Sequence, residues 1–222
     1  MRIFVSDKEF SKLYVTALVG KSYAVPTIAV LKSPEEVDQF EFPRDCCIKP
    51  THASGCVIIR KDGTDLNKAR IKTWFHLDYY WITREANYKP LHPKVIVEPL
   101  LFRSASVDEY KIFCYKGVPK MIKAIQGRHT NYRSKYFDAK WNELDFSVDK
   151  PKAQGSMPCP NNLEEMLSIA ATLSAQFSFV RIDFYSDCRQ CFVGEITNCS
   201  YGAIGQFIPS SGERVASDLI FG

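Results

Sequence analysis

Two carboxylates stand in stretches that otherwise read as buried strands. Residues 179–185 and 191–197 are rich in β-branched and aromatic side chains, yet they carry Asp183 and Glu195 where an apolar residue would be cheaper to bury. The polar link at 186–190 reads as a turn between them. Side chains alternate along a strand, so Arg181, Asp183 and Tyr185 share one face. An odd-numbered loop, such as 188–190, sets Asp183 directly opposite Glu195. Carboxylates so close repel each other, and the pair invites a divalent cation. An even-numbered loop turns Glu195 to the other face, into solvent.

A second chemically suggestive stretch lies earlier. Residues 46–49 and 56–60 read as strands joined by Pro50-Thr51-His52-Ala53-Ser54-Gly55, with Lys49 at the mouth of the link. A small, polar backbone of this kind can fold around phosphate oxygens, although an ordinary hairpin explains it as well. His52 is suited either to touching a phosphate or to capping the turn. No GxxxxGK[ST] is present, which excludes a Walker loop. Glu98 interrupts an apolar strand at 94–101 and needs hydrogen bonds if it is buried there. Lys8 falls in the first turn of a helix, where a cation opposes the dipole and suits an external anion. Between Lys111 and Lys140 there are eight Lys or Arg and one acid, Asp138, which reads as an anion-attracting face. Aromatic residues interleave with these charges, but no RNP-like signature accompanies them, and nucleic acid is not an expected partner.

The elements that must position these groups alternate helix and strand. Ser6 and Glu9 read as a capping box, followed by an apolar series of Phe10, Leu13, Tyr14, Ala17 and Leu18 up to Gly20. Ser33-Pro34-Glu35-Glu36 is a second box, with Pro at the first helical position. Residues 64–88 read as mostly helical, with Leu66, Trp74, Phe75 and Trp81 as core candidates. Residues 109–115 and 118–126 form a hairpin, and Asn161 with Glu164 caps a helix burying Leu163, Met166, Leu167, Ala170 and Leu173. The chain has 222 residues, a net charge of +4 and eight cysteines, without an apolar h-region at its start or a run of 18 apolar residues. These features point to a cytoplasmic protein with reduced thiols. A lone Cys188-x-x-Cys191 is too little for a zinc site.

Six short pieces in this order resemble the TupA-like (teichuronopeptide biosynthesis) branch of the ATP-grasp enzymes. They are Ser6-Asp7-Lys8, the 48–55 stretch, Ile96-Val97-Glu98, Glu109-Tyr110-Lys111, Val180-Arg181-Ile182-Asp183 and Gly194-Glu195-Ile196-Thr197. The resemblance implies an α+β fold in which two lobes sandwich ATP and which lacks most of the usual N-terminal domain. It implies a helical segment at 1–42, a small lobe at 43–97 and a large lobe at 98–222. Lys8, Lys49 and Thr51, His52, Ala53, Ser54 and Gly55 would hold phosphate oxygens. Glu98 and Leu101 would mark the adenine hinge, and Glu109 the ribose. Arg181 would stabilise the transferring phosphoryl group, with Lys111 and Arg128 as further anion contacts. Asp183 and Glu195 would bind Mg2+, with Thr197 or Asn198 as a third ligand. The implied activity is an ATP-dependent carboxylate–amine ligase joining an amino acid to a sugar acid or polysaccharide precursor. A glycan transferase and a non-catalytic binder of anionic polymer are the alternatives, and a homo-oligomer is compatible with each.

Overall fold

The computed structural model describes residues 1–103, 107–128 and 130–222. The chain divides into two compact units, 1–14 with 25–103 and 15–24 with 104–222.

In the first unit the short helix α1 (Arg2–Ser6) ends just before α2 (Lys8–Val19), whose residues from Val15 on are assigned to the second unit. Asp7, not Ser6, starts α2: its Oδ1 accepts from the backbone N–H groups of Glu9 (2.9 Å) and Phe10 (3.3 Å), while Ser6 Oγ donates back to the Arg2 carbonyl. A carboxylate satisfies the free N–H groups and the helix dipole together. The buried side of α2 also differs from the apolar series. Phe10, Leu13 and Leu18 are exposed, whereas Lys8, Ser11, Tyr14 and Val15 are buried. Apolar counting misses this face because its lysines meet oxygen atoms rather than hydrocarbon.

The remaining elements of the unit are β1 (Ala29–Leu31), α3 (Pro34–Gln39), β2 (Cys46–Pro50), β3 (Ile58–Arg60), α4 (Lys68–Thr73), α5 (Tyr79–Thr83) and β4 (Val95–Pro99). Ser33 caps α3 as expected, its Oγ accepting from the Glu36 N–H. The strands form an antiparallel sheet in the order β1-β4-β2-β3. Cys46, Ile48, Val95 and Val97 point into a core with Leu31, Val37, Phe42, Ile71 and Trp74, and Leu66 and Phe75 pack against it. The 64–88 region is broken into α4, a 3-10 turn at Trp74–His76 and α5. Trp81 does not reach the core: it is 62% exposed, with Arg84 stacked 4.3 Å over its ring.

The second unit contains β5 (Asp108–Tyr115), β6 (Val118–Gln126), β7 (Arg133–Asp138), β8 (Ser147–Val148), α6 (Leu163–Ser174), β9 (Phe179–Ser186), β10 (Cys191–Thr197), β11 (Phe207–Ile208) and α7 (Gly212–Phe221). Five strands pair antiparallel in the order β10-β9-β5-β6-β7. One face, with Ile112, Ile122, Ile182 and Phe184 fully buried, is covered by α6. That helix starts one residue later than expected, at Asn162, whose side chain bonds Ser186 instead of capping; Ile169 is buried, and Leu167 only half-buried. The opposite face is partly covered by α7 and the small β8–β11 sheet, through Phe113, Met121, Tyr136, Phe146 and Ile220.

The decisive detail is the β9–β10 register. Cys191 pairs with Ser186, so the connecting loop has four residues, 187–190, an even number. Continued unbroken, that register leaves Glu195 out of line with Asp183. A β-bulge between Val193 and Glu195 adds one residue to β10, and Glu195 then faces Asp183 directly. The expected pairing exists, therefore, through a bulge and not through an odd loop. Gly194 is the extra residue, and a Cβ there would come within 2.4 Å of the Tyr185 ring. Gly194→Ala is expected to destabilise the protein by about 1–3 kcal/mol through this overlap. In urea titrations, Tyr185→Ala in the same chain should recover most of the loss.

Candidate active site

The register that pairs Asp183 with Glu195 also aligns Lys111 with Asp183, Lys123 with Lys111 and Tyr136 with Lys123. Glu195, Asp183, Lys111, Lys123 and Tyr136 thus form one row across all five strands, on one face. Arg181 sits two residues before Asp183 on the same face and binds it side-on, Nε to Oδ1 at 2.6 Å and Nη2 to Oδ2 at 2.8 Å. Arg181 Nη2 also donates to Thr197 Oγ1 and Nη1 to Ser200 Oγ. Lys111 adds a second cation to Asp183. Burial opposes the charge on Asp183, but Arg181 and Lys111 outweigh it and hold its carboxyl below the usual range. Glu109 is gripped by Arg128 and lies 4.0 Å from Lys111.

In the first unit, Glu98 lies on the sheet face away from the core, 3% exposed. Its Oε1 meets Lys12 Nζ at 2.5 Å and its Oε2 meets Lys49 Nζ at 2.7 Å. Burial would push its pKa up, but the two ammonium groups overcome this and lower it. These bonds answer the problem posed by an acid in an apolar strand. Around the 50–55 link, Lys8 Nζ donates to the Ala53 carbonyl at 2.5 Å, and Thr51 Oγ1 to Asp7 Oδ2 at 3.1 Å. Lys94 pairs with Asp7 and Glu9. Gly55 takes the left-handed conformation (φ 79°) in which the loop turns back.

Within each unit most of the anticipated groups meet. Lys8, Thr51 and Ala53 form one cluster and Lys49 with Glu98 another; Arg181, Asp183, Lys111 and Thr197 form a third, beside Glu109 and Arg128. His52 stands apart: it is buried, neither ring nitrogen has a well-formed hydrogen bond among the described residues, and burial followed by Lys8 lowers its pKa against the opposing pull of the Leu77 and Trp74 backbone. Leu101 opens a 3-10 turn after β4, and Asn198 follows the end of β10. Asp7, Lys12, Lys94, Lys123, Ser200 and Tyr201 were not anticipated; only Lys12, four residues after Lys8 on one helix, carried a spacing signal. The basic 111–140 segment is not one open face. Lys111 and Lys123 lie on the face of the row, whereas Lys135 lies on the other and pairs with Glu143.

Glu195 has no hydrogen bond or ion pair among the described residues, although it acts electrostatically on Arg181. A half-buried, unpaired carboxylate beside a second one fits a Mg2+ ion that keeps several waters and takes one or two carboxylates with phosphate oxygens. No cluster of three His, Cys, Asp or Glu able to hold a metal occurs among the described residues.

The fold is that of the ATP-grasp enzymes. An L-amino acid ligase from Bacillus licheniformis superposes with a TM-score of 0.53 at 8% identity, over 89% of this chain and 44% of that one. A D-alanine–D-alanine ligase from Bacillus anthracis gives 0.51 at 18% identity, over 96% and 63%. The ATP-grasp ligase PsnB, complexed with minimal precursor, Mg and ADP, gives 0.43 at 14%, over 86% and 49%. The chain therefore spans between 44% and 63% of the length of these structures. Residues 2–221 match the TupA-like ATP-grasp family, and the chain belongs to it. No curated protein matches it. Among the described residues, no helix is long and apolar enough to cross a membrane.

Lys123 makes a stability prediction. Burial, followed by Lys111, Arg181 and Arg128, lowers its pKa from 10.5 to about 8. Between those values the unfolded chain binds a proton that the folded chain does not, so this group makes stability rise with pH, by at most about 1.4 kcal/mol per unit. Urea midpoints across this range should rise more in the wild type than in Lys123→Met.

Proposed function

We propose that the protein is an ATP-dependent carboxylate–amine ligase that works through an acyl phosphate. The observation that carries this reading is the Asp183–Glu195 pair, aligned by the bulge and adjoining Arg181 and Lys111. A substrate carboxylate oxygen attacks the γ-phosphorus of ATP, the bond to the bridging oxygen breaks, and ADP leaves with that electron pair. The amine nitrogen then attacks the acyl carbon, phosphate departs, and a proton is released as the amide forms. Asp183 and Glu195, with Thr197 or Asn198, would hold Mg2+, which supplies charge neutralisation for the phosphates when bound.

Arg181 spends one N–H from Nε, two from Nη2 and one from Nη1 on Asp183, Thr197 and Ser200, four of the five that a guanidinium carries. The fifth stays available to a phosphoryl oxygen, on a group already locked in place. Lys111 and Arg128 serve the same anion, and Glu109 the ribose. Lys8, Lys49 and the 51–55 backbone grip phosphate oxygens, with His52 beneath them. Pro99 and Leu101 offer the backbone carbonyl and N–H that read adenine, while Glu98 orients Lys12 and Lys49. The carboxylate we infer is a sugar acid or polysaccharide precursor, and the amine an amino acid, in keeping with the family to which the chain belongs.

Two measurements test the reading. Mg-ATP at a hundred times its dissociation constant should stabilise the fold by about 2.7 kcal/mol, visible as a raised melting temperature. An unchanged melting temperature under saturating Mg-ATP defeats the proposal. Glu195→Gln should lower ADP release on the order of a hundredfold. Because Glu195 has no hydrogen bond or ion pair among the described residues, the urea midpoint of this variant should stay close to that of the wild type.

A further inference from the structure

Three of the five buried lysines among the described residues have carboxylates (Lys49 has Glu98, Lys94 has Asp7, Lys135 has Glu143), and Lys8 donates to the Ala53 carbonyl. Lys123 has only a hydroxyl as its hydrogen-bond partner among the described residues. It is 4% exposed, and no carboxylate pairs with it among the described residues. Its ammonium donates to the Tyr201 hydroxyl and lies 5.1 Å and 5.3 Å from the centroids of the Tyr201 and Tyr136 rings. The charged groups acting on it are Lys111 from β5, Arg181 from β9, Arg128 beyond β6 and, as the anion, Asp149. Three further cations make an unpaired ammonium costlier still, and lysines are seldom buried without a partner.

The lid over this ammonium is itself a forced structure. Tyr201, Gly202 and Ala203 all take positive φ (55°, 59° and 61°), a region that residues with side chains, here Tyr201 and Ala203 on either side of the glycine, rarely adopt. The segment is tied down at Ser200 by Arg181, and the Tyr201 and Tyr136 hydroxyls lie 3.1 Å apart. One ammonium and a hydroxyl, floored by two aromatic rings, suit a singly charged, two-oxygen anion with a carbon body behind it. Lys123 is two strands from Asp183, about 10 Å along the row, room for a second anion beside a phosphoryl group on the acidic pair.

We propose that Lys123 and the Tyr201 hydroxyl form the seat of the substrate carboxylate, separate from the groups that hold the nucleotide. This rests on the ligase reading and adds to it the residues that select the acid. An anion arriving beside Lys123 favours its charged form, so carboxylate binding takes up a proton where the free lysine is partly neutral.

Calorimetry at about pH 8.5, in two buffers of different ionisation enthalpy, reads that proton directly. Acetate and D-glucuronate serve as probes, each added to the protein alone and to its complex with Mg2+ and a non-hydrolysable ATP analogue. Wild-type protein should bind at least one probe with proton uptake. Lys123→Met should lose the uptake and bind the probe about tenfold to a hundredfold more weakly, with its affinity for the analogue unchanged. Tyr201→Phe, which keeps the ring, should weaken the probe and spare the analogue. Equal probe binding by wild type and Lys123→Met, or none by either, overturns the assignment. So does an uptake that accompanies the analogue instead, which would give Lys123 to the phosphates. Failure of the analogue to bind while the probe still shows uptake would count against the ligase reading alone.

Discussion

The side-on pair between Arg181 and Asp183 is the contact on which the second unit's chemistry depends. It forms between residues two apart on one strand, which alternation places on the same face. Both groups are buried, and either charge would be costly there without the other. Together with Lys111 they satisfy each other, and the spare donors of Arg181 then reach Thr197 on the neighbouring strand and Ser200 beyond it. One guanidinium thereby fixes a carboxylate, a strand end and a loop. Rigidity of this kind is what an electrostatic site needs before its ligand arrives.

The first unit reaches a similar arrangement from different elements. Glu98 is held by a helix lysine and a strand lysine, as Asp183 is held by Arg181 and Lys111. Each cluster has two cations for one carboxylate, and each keeps that acid ionised in a place that would otherwise protonate it. In the second unit Glu195, opposite Asp183, offsets the extra cation, whereas in the first unit one positive charge is left over. It creates a local field for polyanions that a net charge of +4 on the whole chain does not reveal.

Much of this was legible in the sequence, for identifiable reasons. Hairpins such as β5–β6 and the Ser33 cap announce themselves through local rules, since alternation, Gly turns and capping pairs act within a few residues. The acidic pair was visible as an anomaly, because carboxylates in strand-like text require an explanation. What was hidden depended on distant partners. The inward face of α2 is polar because it meets Glu98 and the Ala53 carbonyl, which no periodicity reports. Trp81 reads as core by its type, but it lies on the surface under an arginine. Lys123 and Tyr201 are 78 residues apart, and nothing near either one names the other.

The bulge at Gly194 makes the site an arithmetic of parity. At the chain's present spacing an even loop alone misaligns the acids, and so would an odd loop that kept the bulge; the four-residue loop and the bulge work only in combination. Eleven residues lie between Asp183 and Glu195, an odd number, so this spacing aligns the acids either through an even loop with one bulged residue or through an odd loop with none. Deleting Gly194 would shorten that spacing by one, and the four-residue loop would then align the acids with no bulge. The hairpin therefore has more than one spelling that keeps the acids opposed, and the one it uses places its odd residue at a glycine lying against the Tyr185 ring.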